Sequence, residues 1–284
     1  SAEYLPAASP ADYGPNLKKF VDKKCTYIIG VGFALGDAII ASAEANPTVK
    51  YAIVDDAGLK NFTTPIANLK GITFKTNENS FLAGYLAAGY SKTGVVATYG
   101  GMPFPTVTIF MDGFAKGVEY YNDVKGKSVK VLGWDPAKPS AGTMVGDFAN
   151  TNKALSISQN FELQGADVIF PVAGSLGVTT AENSMKTKKS VTIGVDADFN
   201  LTAPKVKSAV LISVLKGLNE AVQASVKEAY DGKYSNKQYV GTLKNKGVGL
   251  SPLYAPFNKS IPKSLQTELK DLQVNVAGGY IPVS

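Results

Sequence analysis

The sequence predicts an α/β chain of two doubly wound parallel-sheet lobes with a cleft between them. Three observations carry this. Short β-branched runs alternate with amphipathic segments of helical length. The runs are apolar almost throughout, as strands covered on both faces are. The alternation also restarts near residue 93, giving two successive series.

The first series opens with a stub, SAEYLP, and a helix over 11–24. A strand over 24–32 leads to a helix over 34–47 that stops at Asn46-Pro47. Strands at 49–56 and 70–76 precede a small-residue helix at 80–92, with Ser80 as its expected N-cap. The second series has strands at 93–101, 128–135, 167–174, 190–198 and 207–215. Helices at 106–122, 148–165, 178–188 and 218–233 accompany them, the last ending at Asp231-Gly232. Beyond 234 the pattern changes to a hairpin-like pair over 237–254, a short helix over 261–273 and a closing strand over 274–283. The expected division is 1–92 with 216–250 as one lobe, 93–215 as the other, and 251–284 as a return segment packing across both. The second series opens with a full strand-helix-strand unit and the first with only a stub, so the first lobe is expected to lack its opening strand and helix.

Composition excludes several kinds of chemistry. His is absent, and every one of the 29 basic residues is Lys. Ser-His triads and His-ligated metals are therefore ruled out, as is the bidentate guanidinium grip on phosphate or guanine. Net charge is +6, but the lysines are scattered and form no dense basic stretch. They read as a solvated surface, and no nucleic-acid partner is expected. The single cysteine, Cys25, allows no internal disulfide and reads as a small buried hydrophobe. No run of eighteen apolar residues spans a bilayer, and SAEYLPAASP carries no secretory-signal pattern.

In doubly wound sheets ligands sit beyond the carboxyl ends of the strands. Those ends supply Asp55, Asn77, Met102, Phe170, Gly174, Asp196, Ser213 and Lys216. The glycine turn at 174–177 lacks the G-x-x-x-x-G-K-[ST] pattern, and 99–105 lacks G-x-G-x-x-G, so neither is a phosphate or dinucleotide loop. Small residues there allow close backbone approach to a neutral ligand. Phe170 offers either a flat face for stacking or a core side chain. No metal or other cofactor is expected.

GADVIFPVAG (165–174), IGVDAD (193–198) and SVLK (213–216) fall in an order that resembles the basic-membrane-protein family of ABC-transporter substrate-binding lipoproteins, of the purine nucleoside receptor type. NENSFLAGYLAA (77–88), the segment 100–122 and KGVGLSPL (246–253) fit the same family in the same order. The resemblance implies a type I periplasmic-binding-protein fold whose lobes close on a ligand. It also implies a base stacked on Phe170, ribose hydroxyls donated to Asp196, a bond from Asn77, and Lys216 beside the sugar. The partners implied are a nucleoside, an ABC permease, and the membrane through a lipid anchor upstream of this chain, on the extracytoplasmic side. The chain has Asn79 where the family has glycine, and Gly174-Ser175 where it has two glycines. A sugar receptor of the same fold and a metal-dependent nucleoside hydrolase using Asp55, Asp56 and Asp196 are the alternative functions. A ligand-sensing regulator would also need a DNA-binding headpiece.

Overall fold

The computed structural model describes residues 2–283. The chain forms two compact units, 1–74 with 217–241 and 75–216 with 242–284, and passes from one to the other at 74/75, 216/217 and 241/242.

In the first unit, α1 (Tyr13–Asp22), β1 (Tyr27–Val31), α2 (Gly36–Ala45) and β2 (Lys50–Val54) alternate as the sequence predicts. A short hairpin follows, β3 (Leu59–Lys60) and β4 (Thr64–Pro65), and then β5 (Leu69–Phe74). The sheet order is β1-β2-β5 and then a late strand, all parallel. Alternation along β5 sorts its side chains between the two faces. Leu69 joins Leu17, Ile28, Ile39, Tyr51 and Ile53 in the core under α1 and α2. Its neighbour Lys70 is buried and ion-paired to Glu228.

The second unit begins with α3 (Thr76–Tyr90), β6 (Val95–Gly100), α4 (Pro105–Lys125), β7 (Lys130–Leu132), α5 (Thr151–Leu163) and β8 (Val168–Val172). It continues with α6 (Leu176–Thr187), β9 (Val191–Asp196), α7 (Phe199–Thr202) and β10 (Val210–Lys216). Helix α8 (Leu218–Tyr230) and β11 (Tyr239–Gly241) belong to the first unit, where β11 is the late strand beside β5. The second unit closes with β12 (Val248–Leu250), α9 (Phe257–Ser260) and α10 (Lys263–Ala277). Its sheet runs β12-β10-β9-β8-β6-β7, parallel except for β12. On one face Tyr99, Phe161, Ile169 and Leu176 form a core. On the other, Phe170 packs between Phe110 and Phe114 of α4.

Four expectations are corrected. Helix α3 starts at Thr76, so Ser80 is a buried interior residue and not an N-cap. The same helix packs with the second unit, whereas the sequence alternation placed 76–92 in the first lobe. The reason is backbone contact with α4: a Cβ on Gly113 would lie 2.4 Å from the Asn77 carbonyl oxygen, and one on Gly117 2.0 Å from that of Phe81. From the other side, a Cβ on Gly84 would lie 2.1 Å from the Phe114 oxygen. The stretch 237–254 is not a hairpin: β11 pairs with β5 and β12 with β10, in different sheets. The closing strand is absent among the described residues, because Leu265, Leu269, Leu272 and Val276 keep a helical stripe buried through Ala277.

Gly117→Ala should therefore destabilise the fold. Alanine gains about 1 kcal/mol of intrinsic helix propensity, but overpacking against a backbone oxygen costs about 1–3 kcal/mol. The urea midpoint is expected to fall. An unchanged or higher midpoint would show that α3 and α4 can separate freely.

Candidate ligand-binding site

Four neighbouring strands of the second unit end together: β10, β9, β8 and β6. Register matches Leu215 to Asp196 and Gly100 to Val172, which sets the turns after these strands side by side. The segment Thr143–Gly146 is laid along the end of β6. Gly100 N–H donates to Thr143 (3.0 Å), Val145 N–H to Gly100 (2.9 Å) and Gly146 N–H to Gly101 (2.7 Å). Gly101 N–H donates across to Val172 (2.9 Å). This places the half-buried ring of Phe148 against the glycine turns. A Cβ on Gly101 would lie 2.3 Å from that ring, and one on Gly174 4.0 Å from it. Gly174 adopts φ +56°, a left-handed conformation that suits glycine.

Asp196 ends β9 at φ +66°, a position in which aspartate is tolerated better than most side chains. Its Oδ1 lies 2.9 Å from Lys216 Nζ. The lysine side chain is only 6% exposed, against 39% for the aspartate. The same ammonium sits 5.1 Å from the centroid of the Phe110 ring. Contact with the carboxylate and the ring face offsets the cost of burying the lysine. Asp196 Oδ1 is buried and, despite the short ion-pair distance, accepts no aligned hydrogen bond.

The first turn of α3 is tied to the end of β10. Asn79 donates from Nδ2 to Leu215 O (2.9 Å) and Gly249 O (2.7 Å), joining β10 to β12. That side chain gives a structural reason for an asparagine where the resembled family has glycine. Asn77 donates to Val283 O at 3.1 Å, and its own Oδ1 is buried without a hydrogen-bond partner among the described residues. Thr106 Oγ1, in the first turn of α4, is likewise buried and unpartnered. Buried acceptors and hydroxyls left open in this way cost free energy unless water or a ligand meets them.

The structure sorts the sequence candidates. Asp196, Lys216, Gly174 and Met102 lie at the strand ends of the second unit, and Asn77 on the turn tethered to β10. Phe170 is corrected: it is the third residue of β8, wholly buried between Phe110 and Phe114, with no ring face open to a ligand. Ser213 is corrected as well. It is fully buried, and its hydroxyl accepts from Phe199 N–H at 3.1 Å, pinning α7 to β10. Phe148 went unnoticed in the sequence. The signal available was an aromatic two residues beyond Gly146, in a segment without regular periodicity.

Asp55 belongs to the first unit, at the end of β2, with φ +65° and its N–H donating to Ile72 O at 2.8 Å. Beside it, Asp56 accepts from Gly58 N–H at 2.7 Å. Burial, and secondarily the nearby Asp37 carboxylate, push the Asp56 pKa up, against the pull of the Gly58 bond. No group of three or more His, Cys, Asp or Glu side chains among the described residues is placed to hold a metal.

Residues 2–277 match the model of the family described as ABC transporter substrate-binding protein PnrA-like (Bmp). The chain belongs to this family. A nucleoside-binding protein of an ABC transporter from Lactococcus lactis subsp. cremoris, BmpA, is 29% identical over 96% of this chain and 77% of its own length. Basic membrane protein D of Borreliella burgdorferi is 29% identical over 86% of this chain and 67% of its own. A solute-binding protein of an ABC transporter system from Aeropyrum pernix superposes with a TM-score of 0.82 at 22% identity, covering 97% of this chain and 82% of that one. The fold is thus of the type I periplasmic-binding-protein kind. Family members are substrate-binding subunits of ABC transporters and act outside the cytoplasm. No helix of the described residues is long and apolar enough to cross a membrane.

A pH dependence follows from Asp56. A carboxyl whose folded pKa is raised favours folding through its protonated form. That contribution is complete below the ordinary value of 3.8 and is lost as pH rises through the raised value. Asn at this position keeps an acceptor for Gly58 N–H and carries no charge to bury. The stability of Asp56→Asn relative to wild type should therefore be greatest near neutral pH and should shrink as pH falls toward 3.8. Urea midpoints measured across that range check this; a pH-independent difference would contradict it.

Proposed function

We propose that this chain is the extracytoplasmic nucleoside receptor of an ABC importer, held at the membrane by a lipid anchor upstream and delivering its ligand to a permease. The observation that carries the reading is Asp196: a carboxylate at a strand end, held through Oδ1 by a buried lysine at 2.9 Å while its side chain stays 39% exposed. Vicinal ribose hydroxyls are the natural donors to such a group, since an ionised carboxylate only accepts. The glycine turns at 100–101 and 174 let a flat ligand approach the backbone. Phe148, lying over both turns, takes the stacking role the sequence reading gave to Phe170. Asn77 Oδ1 supplies a further acceptor. With no arginine in the chain, an uncharged nucleoside suits the site better than a nucleotide. The Lactococcus relative is named for nucleoside binding, which supports the same ligand class. A purine is favoured over a pyrimidine because it offers more ring surface for stacking.

Isothermal titration against adenosine, guanosine, inosine, cytidine, uridine, the free bases and ribose tests this. Nucleosides are expected to bind, purines more tightly, and to be recovered intact. Binding of a free sugar with failure of every nucleoside would overturn the ligand class. Release of free hypoxanthine from inosine would overturn the receptor role.

A further inference from the structure

The amino-terminal end of the first unit's sheet gathers charge that lies far apart in the sequence. All four strands of this sheet are parallel, so α1, α2 and α8 run back antiparallel to them, and the three helices finish at the same end. Asn68 marks that end, donating to Ala43, Asn46 and Val49 carbonyls at 2.9, 3.1 and 2.9 Å. The β3–β4 hairpin lies there too: Gly58 packs on Leu69 and Gly71 at the start of β5, and Lys60 pairs at 2.6 Å with Glu44 in the last turn of α2.

The carboxylates at this end are already neutralised by lysine. Glu3 pairs with Lys23, Asp22 with Lys18, Glu44 with Lys60, Glu228 with Lys70 and Asp231 with Lys227. Among the described residues, Lys19, Lys24, Lys50, Lys233 and Lys237 pair with no acid. Lys50 lies over the face of the Tyr234 ring, 5.1 Å from its centroid. Excess positive charge at this end is therefore local and not diluted by acids.

Two large aromatics project from the same end. Phe62, at the hairpin tip, is 92% exposed, and Tyr230, the last residue of α8, is 90% exposed. Phe62 also holds φ +61°, which a bulky side chain seldom adopts and which glycine or asparagine would take readily. Folding therefore does not explain the choice of phenylalanine, and packing does not either.

Aromatic rings that stand out among unneutralised lysines match the interface of an anionic bilayer. The rings sit at headgroup level while the ammonium groups meet lipid phosphate. We propose that this end of the first unit docks on an anionic membrane surface. The inference does not depend on which ligand the receptor carries.

Co-sedimentation with vesicles tests it, using phosphatidylcholine alone and phosphatidylcholine with about one third phosphatidylglycerol. The protein should bind the anionic vesicles at least tenfold more tightly, and the difference should collapse at high salt. Reversing Lys24, Lys233 and Lys237 to Glu should lower that binding at least tenfold. Phe62→Asn should lower it severalfold without lowering the melting temperature. Nucleoside affinity, where present, should stay unchanged in both. Reversing three exposed lysines of the second unit, Lys259, Lys263 and Lys270, makes the same change in net charge and should leave vesicle binding intact. Equal loss in that control, equal binding of wild type to neutral vesicles, or capture by a soluble polyanion but not by anionic vesicles would each overturn the proposal.

Discussion

Helices α3 and α4 touch backbone to backbone, and the arrangement of the second unit depends on that contact. Gly84, Gly113 and Gly117 leave no room for a Cβ between the two helices. Close approach fixes α4 over the sheet, where Phe110 and Phe114 clamp Phe170. It also fixes the first turn of α3, which Asn79 ties to the ends of β10 and β12. Lys216 then finds the Phe110 ring on one side and Asp196 on the other. A shift of α4 would loosen both the core and the charge pair that organises the strand ends.

That charge pair is suited to holding a polar, uncharged ligand. A buried lysine needs a carboxylate, and the carboxylate needs donors for its remaining lone pairs. A sugar's hydroxyls can complete the set without adding charge. Glycine turns and the Phe148 ring supply the flat, close-fitting surroundings that a base requires. In the proposed nucleoside site these features would divide the work: the acid would fix orientation and the ring would supply contact area.

Much of the fold was legible because parallel strands covered on both faces read as apolar runs, and the helices between them keep their periodicity. Position along a strand was less legible. Phe170 and Ser213 belong to strands that reach the site, and no sequence pattern marks how far along those strands they stand. Yet a residue two or three places before the strand end, as Phe170 and Ser213 are, lies inside the core, whereas Met102, Gly174, Asp196 and Lys216 lie at or just past the end. Phe148 escaped notice because it lies on an irregular segment positioned by hydrogen bonds to Gly100 and Gly101, which no local pattern announces. VNVA at 274–277 looks like the start of a strand by composition, but its Val276 continues the buried stripe of Leu265, Leu269 and Leu272. The lysines illustrate the same limit in reverse. Scattered at 19, 24, 50, 233 and 237, they meet at one end because the connections between helices and strands are gathered there.

The claim most open to direct measurement is that Asp196 accepts ribose hydroxyls. Titration of the wild-type protein with adenosine and with its 2′,3′-dideoxy counterpart isolates those hydroxyls, and repeating both with Asp196→Asn closes the cycle. A site built to bond hydroxyls rejects the analogue lacking them by orders of magnitude. The wild type should favour adenosine at least a hundredfold, and the variant should lose most of that preference. Equal affinity for the two ligands, or a preference that survives in the variant, would contradict the role given to Asp196.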